Sequence, residues 1–190
     1  MGTMSSENGM SLKERHPTEM DPMKRMTRDF FVRDVLLVAP ELIGKTLAVR
    51  SKDGIISRFI INETEAYRGP EDKACHASRG RTKRTEVMYQ EGGKIYVYFV
   101  YGMYWMLNIV TGGVDDPQAV LIRGIEGFNG PGKLTSAIGI DKSFYGEDIT
   151  SSQRIWVEDT GFNPGYKTGP RIGINYAGDH WGKKPWRYYI

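Results

Sequence analysis

Eight residues, Lys94–Tyr101 (K-I-Y-V-Y-F-V-Y), restrict what this chain can fold into more than any other stretch. Strand side chains alternate sides with a period of two, so Tyr96, Tyr98 and Val100 share one face and Ile95, Val97, Phe99 and Tyr101 the other. Both faces are bulky and largely apolar, the pattern of a strand covered on both sides. A sheet built on it needs a layer of packing above and another below. The connection that follows, Y-G-M-Y-W-M (Tyr101–Met106), is unusual for a turn. Turn tips normally sit in water and are polar, yet here Tyr101, Met103, Tyr104 and Trp105 surround Gly102. Such a turn either tucks beneath another loop as core or stands out as an apolar wedge of the kind that enters a base stack.

A second strand, Ile61–Tyr67 (I-N-E-T-E-A-Y), places Glu63, Glu65 and Tyr67 on one face. Two carboxylates and a phenol there are either a solvated strand face or a site where a carboxylate holds a water and an aromatic holds a flat ligand. Arg79, Arg81, Lys83 and Arg84 fall within R-G-R-T-K-R with no acid among them. Gly and Thr between cations suit phosphate contacts, because hydroxyls and open amides join the charges; a plain solvated loop has the same composition.

The rest of the chain frames these pieces. Its 190 residues suffice for one domain with a sizeable core. Residues 1–26 are polar, aperiodic and dotted with Met, and read as a disordered tail before a single domain over 27–190. Asp29 is expected to cap a helix through Val35–Ile43, interrupted at Pro40 and ended by Gly44. Thr46–Arg50 and Ile55–Tyr67 flank the hairpin signal Lys52-Asp53-Gly54. Leu107–Thr111, Ala119–Arg123 and Ser151–Glu158 read as strands, Gly130–Gly139 as a loop entering a short helix, and Asn163–Pro170 as a loop. Arg171–Asn175 is expected to begin a last β-like segment that Trp181–Ile190 closes. There is no βαβ alternation, so the expected class is α+β: a single mixed domain with a curved, mainly antiparallel sheet, flanking helices and a protruding aromatic hairpin. One cysteine rules out a disulfide framework, and His16, His76 and His180 lack ligand spacing, so no metal and no cofactor are expected. No apolar run reaches membrane-spanning length and no signal peptide is visible, which points to a cytoplasmic location, or a nuclear one in a eukaryote.

A basic loop, an apolar wedge and an aromatic pocket with a carboxylate are together the parts of an enzyme that flips a base out of a duplex. The ordered motifs E-T-E-A-Y-x-G-P-E-D (Glu63–Asp72), His76, Y-V-Y-F-V-Y-G-M-Y-W-M-L-N (Tyr96–Asn108), V-L-I-R (Val120–Arg123), G-P-G-K-L (Gly130–Leu134) and R-I-G-I (Arg171–Ile174) resemble the alkyladenine DNA glycosylase family, from about Phe30 to the C-terminus. The resemblance implies that Glu65 activates the attacking water, with Arg123 beside it and the backbone around Ile172 as a further ligand of that water. It implies that Tyr67, His76, Tyr98 and Asn108 line the base pocket, and that Tyr101 and Met103 enter the DNA. Arg81, Thr82 and Arg84 are expected on the phosphates. The family pattern T-x-R-N departs here, since Arg84 is followed by Thr85.

The expected reaction is hydrolysis of the N-glycosidic bond of an alkylated or deaminated purine in double-stranded DNA by a monomer. It proceeds through an oxocarbenium-like transition state and leaves an abasic site. No lysine sits beside Glu65 in the motif, which implies a monofunctional enzyme without strand cleavage. Glu63 would raise the Glu65 pKa by like-charge repulsion and Arg123 would lower it. Two rivals remain open: a non-catalytic, structure-specific nucleic-acid module, and an enzyme of free nucleosides, which would need neither the basic loop nor the wedge.

Overall fold

The computed structural model of the chain describes residues 24–190. Most of the expected tail therefore lies outside the described residues. Its end does not: β1 (Lys24–Arg25) is a paired strand, and the Met26 amide donates to Val157 O at 2.8 Å, so ordered pairing begins ahead of the Met26 boundary. After α1 (Arg28–Phe31) comes α2 (Val35–Glu41), and the residue that caps it is Asp34, whose carboxylate accepts from the Leu36 amide at 2.8 Å. Asp29, expected in that role, lies inside α1. Both aspartates precede apolar residues, and the break between the two helices decides which one is free to cap. Pro40 sits in the last turn of α2, and Gly44, at φ +85°, turns the chain back. A Cβ at Gly44 would lie 2.5 Å from Pro164 Cδ, so the turn needs glycine on both counts.

The strands are β2 (Thr46–Arg50), β3 (Ile56–Arg68), β4 (Ile95–Val100), β5 (Tyr104–Thr111), β6 (Gln118–Ile125) and β7 (Phe128–Asn129). Helix α3 (Pro131–Ala137) is followed by β8 (Ile155–Asp159), β9 (Lys167–Gly169), α4 (Gly178–Gly182) and β10 (Arg187–Tyr189). The Asn163–Pro170 stretch, expected to be loop throughout, thus contains β9. Arg171–Asn175 does not begin a strand: Gly173 takes φ +78° and the chain bends into a 3-10 turn at Asn175–Ala177. β-Rich residue types there were outweighed by the glycine.

The sheet order is β1-β8-β2-β3-β6-β5-β4, with β10 joining β3 to β9, and every pairing is antiparallel. This is the expected α+β fold on an antiparallel sheet. β3 is its centre: Ile56–Ile60 pair with β2, Ile61–Arg68 with β6, and Glu63–Glu65 also with β10 on the opposite edge. One face holds the main core, where Ile95, Val97, Leu107 and Ile122 cluster with Val38 of α2, Leu42 just after it and Leu134 of α3. Each such side chain contributes roughly 1.5–3 kcal/mol when fully buried, so this face secures the sheet and leaves the other for polar groups. The other face is roofed by residues 70–90, which fold into 3-10 turns at His76–Arg79 and Glu86–Tyr89 and pack Cys75, Val87 and Met88 on Tyr96, Val110 and Ala119. Both faces of β4 are covered at Ile95, Tyr96 and Val97, as its sequence demanded, whereas Phe99 near the hairpin tip is exposed. Among the described residues no helix is long and apolar enough to cross a membrane.

Candidate active site

Under that roof Tyr96 of β4, Asn108 of β5, Leu121 of β6 and Glu65 of β3 stand in register across four strands. Residues directly opposite one another in antiparallel strands point the same way, so this row faces one side of the sheet. Alternation adds Glu63 and Tyr67 on β3 and Arg123 on β6. The β3–β6 register slips twice between Ile61 and Thr64, which leaves Arg123 without a direct partner and free to reach across. Gly124 permits the close approach, since a Cβ there would meet Asn62 Oδ1 at 2.3 Å.

Glu65 is fully buried, which excludes a solvated strand face for this residue. Its Oε1 accepts from the Ile172 amide at 2.7 Å and lies 3.6 Å from Arg123 Nε; its Oε2 accepts from the Tyr67 hydroxyl at 2.8 Å. Burial pushes the carboxyl above its ordinary pKa, while Arg123, the Ile172 amide and the Tyr67 hydroxyl pull against it. Repulsion by Glu63, expected to drive the rise, is the smallest of these influences. The reason is local: Glu63 Oε1 is matched by Arg123 Nε at 3.2 Å and by Arg187 Nη1 at 2.9 Å. Burial and the neighbouring Glu65 raise the Tyr67 phenol well above its usual range, so it stays protonated and donates.

Behind this pair lies a support that no local pattern announces. Arg171 and Asp72, both wholly buried, form a two-pronged ion pair at 2.5 and 2.9 Å, and Arg171 also donates to Ala66 O at 2.9 Å. The Arg171 guanidinium stands 4.8 Å from the Tyr67 ring centroid and 5.0 Å from that of Trp186. It therefore fixes the Tyr67 ring from behind and holds the next residue, Ile172, where its amide meets Glu65. In the sequence Asp72 and Arg171 are letters of two separate motifs, and Arg171 and Arg187 belong with Lys167, Lys183 and Lys184 to a C-terminal group of cations whose composition suits phosphate contacts. The structure instead pairs Arg171 with Asp72 and Arg187 with Glu63.

Tyr67, His76, Tyr98 and Asn108 line one cleft together with Tyr96 and Tyr176. His76 and Tyr98 touch edge to face, ring centroids 4.6 Å apart, so no base fits between them. They form one wall of the cleft that Tyr67 also lines. His76 Nδ1 is 2.8 Å from the Tyr96 hydroxyl, and burial with the charges of Arg84 and Arg79 pushes the imidazole down to about 4, which leaves it neutral at pH 7. Asn108 donates to Tyr96 O at 3.1 Å, which turns its carbonyl oxygen away from the strand backbone. Glu65 is joined to this cleft through the hydroxyl of its lining residue Tyr67. Cys75, at the back of the same cleft, is buried, and its thiol is pushed up to about 12.

The apolar turn stands out from the fold: Tyr101 is 88% exposed and Met103 61%. Tyr101 also takes a left-handed φ of 52°, followed by Gly102 at 68°. The basic loop is more constrained than its composition suggests. Arg81 is held by Glu86 at 2.7 Å and Asp115 at 2.8 Å. Thr82 is tied to Thr85, whose hydroxyl accepts from the Thr82 amide at 2.9 Å and donates to Gly80 O at 3.1 Å. Thr85, the residue at which the chain departs from the T-x-R-N pattern, is buried and thus shapes the loop from inside. Arg84 lies over the Tyr98 ring, 5.1 Å from its centroid. Among the described residues no group of three His, Cys, Asp or Glu side chains is placed to hold a metal ion.

The family model described as methylpurine-DNA glycosylase matches residues 29–129 and 126–190. A protein of Psychrobacter cryohalolentis is 45% identical over 179 aligned residues, covering 79% of this chain and 84% of its own. One of Rickettsia felis is 43% identical over 178 residues, covering 90% and 96%, and one of Natranaerobius thermophilus 41% identical over 192 residues, covering 87% and 95%. Each of the three bears the name "Putative 3-methyladenine DNA glycosylase".

Proposed function

Since the chain belongs to the methylpurine-DNA glycosylase family, we propose that it starts base excision repair by taking alkylated or deaminated purines out of double-stranded DNA. Acting as a monomer without metal or cofactor, it hydrolyses the N-glycosidic bond with water. The observation that carries this reading is the buried Glu65 carboxylate, oriented by Tyr67, Ile172 and Arg123 beside an aromatic cleft. A surface that only held a polyanion would gain nothing from an acid kept out of solvent.

In this mechanism the Tyr101 tip fills the gap left in the stack as the damaged nucleotide rotates into the cleft. The base lies against Tyr67 on one side and the His76–Tyr98 wall on the other, and Asn108 borders its edge. Purines alkylated at N3 or N7 carry a positive charge and a weakened bond to the sugar, and aromatic faces attract such a ring. The neutral His76 adds no repulsion. As the C1′–N bond breaks, its electron pair leaves with the base and the sugar becomes oxocarbenium-like. Glu65 stabilises that cation and takes a proton from the water that attacks C1′. The partners of Glu65 among the described residues include no lysine, so no Schiff base forms and the product is an intact strand with an abasic site.

The test uses duplexes that each carry one lesion, incubated without metal and assayed for free base and alkali-labile sites. Glu65→Gln is expected to lose at least two orders of magnitude in base release while binding the lesion duplex as the parent does. Undiminished release by that variant would refute the role given to Glu65.

A further inference from the structure

Arg84 is the cation of the basic loop that touches the aromatic wall. Arg81, three residues earlier, is neutralised by two carboxylates. Arg84 has no ion-pair partner among the described residues. Its guanidinium instead stands 5.1 Å from the Tyr98 ring centroid, and Nη2 comes within 3.5 Å of His76 Nε2. Tyr98 and His76 are the two rings in mutual contact that form one side of the base cleft. A full positive charge therefore sits within one ring's width of the place where a base would stack. The influence reaches the neighbouring groups: Arg84 helps to depress the His76 imidazole and pulls down the Tyr96 and Tyr98 phenols. It does the same to any positive charge placed on that wall, because an aromatic face already engaged by one cation attracts a second one less.

We infer that Arg84 is a specificity-determining residue that discriminates by charge, holding back cationic purines such as 7-methylguanine relative to neutral ones such as hypoxanthine. This inference rests on the excision reading above. It goes beyond a phosphate contact, which would act on every lesion alike. The chemistry makes such a filter useful, since cationic purines leave readily without help and neutral ones do not.

Single-turnover rates at saturating enzyme on two duplexes, one with 7-methylguanine and one with hypoxanthine, isolate the effect from DNA affinity. Arg84→Gln is expected to raise the rate ratio of cationic to neutral lesion roughly three- to tenfold, the range of one cation–π contact. Arg84→Lys keeps the charge and should stay within about twofold of the parent ratio, and the His76 NMR titration should move upward only in Arg84→Gln. An unchanged ratio in Arg84→Gln, or a Lys variant that behaves like the Gln variant, overturns the charge filter and leaves excision standing. If the parent protein releases base from neither duplex, both readings fall together.

Discussion

The base role proposed for Glu65 requires the ionised carboxylate, yet burial raises its pKa above the ordinary value. Two outcomes follow from that conflict. The rate of base release should fall as pH drops, along a limb whose midpoint lies above the ordinary carboxylate value of 4.5. Arg123→Gln should shift the limb to higher pH, because Arg123 is the strongest influence opposing the rise. A pH–rate profile unmoved by that change would show that another group sets the limb. Stability runs the other way. A carboxyl whose folded pKa exceeds its unfolded value favours folding when protonated, and that contribution is lost as pH rises through the folded pKa. Glu65→Gln mimics the protonated form and leaves Arg123 paired to Glu63, so thermal unfolding at pH 7 should show a gain of about 1 kcal/mol. His76 has the opposite sign. Its folded pKa of about 4 lies below the ordinary imidazole value of 6.5, so its contribution is present above 6.5 and disappears as pH falls towards 4. The slope of urea midpoint against pH over that window should flatten in His76→Gln.

The β4–β5 hairpin shows what an element contributes beyond its residues. Tyr101 holds a backbone conformation that costs a non-glycine residue of order 1 kcal/mol, and in return its ring points outward, clear of the sheet. Tyr101→Ser removes a ring that packs on nothing in the free protein. Lesion-duplex affinity should drop by about 1–3 kcal/mol, the worth of one base–aromatic stack, with the melting temperature unchanged. A shift in melting without loss of affinity would make the tip a structural feature. The strands were readable in advance because period-two alternation and the Lys52-Asp53-Gly54 turn are local signals. The helix cap is less legible, because Asp29 and Asp34 compete for it and the structure uses Asp34. The bend at Gly173 is not legible in the sequence, because the bond that the preceding Ile172 amide makes is to Glu65, 107 residues away.

At the scale of the molecule, the Asp72–Arg171 pair joins the loop after β3 to the chain that follows β9, across 99 residues of sequence. Breaking it leaves a buried charge alone, so Asp72→Asn should cost about 3–5 kcal/mol in urea unfolding. Excision should fall with it, because the Tyr67 ring and the Ile172 amide both rest on Arg171. A variant with parent stability would show the pair to be dispensable. The candidate catalytic carboxylate and the four pocket residues were all nameable from the resemblance, whereas this brace was not, since no spacing rule connects residues so distant. DNA affinity should weaken steeply with added salt, as for any phosphate-tracking surface; salt-independent binding would count against a duplex partner.

Cys75 is the only thiol in the chain, and its place under the roof bears on survival. Reagents that methylate purines also attack sulfur, and they do so through the thiolate. With burial pushing its pKa up to about 12, that anion is present in roughly one molecule in a hundred thousand at neutral pH. The folded protein thus keeps this nucleophile unreactive under the chemical exposure that creates the lesions proposed as its substrates. Iodoacetamide should label Cys75 only after denaturation.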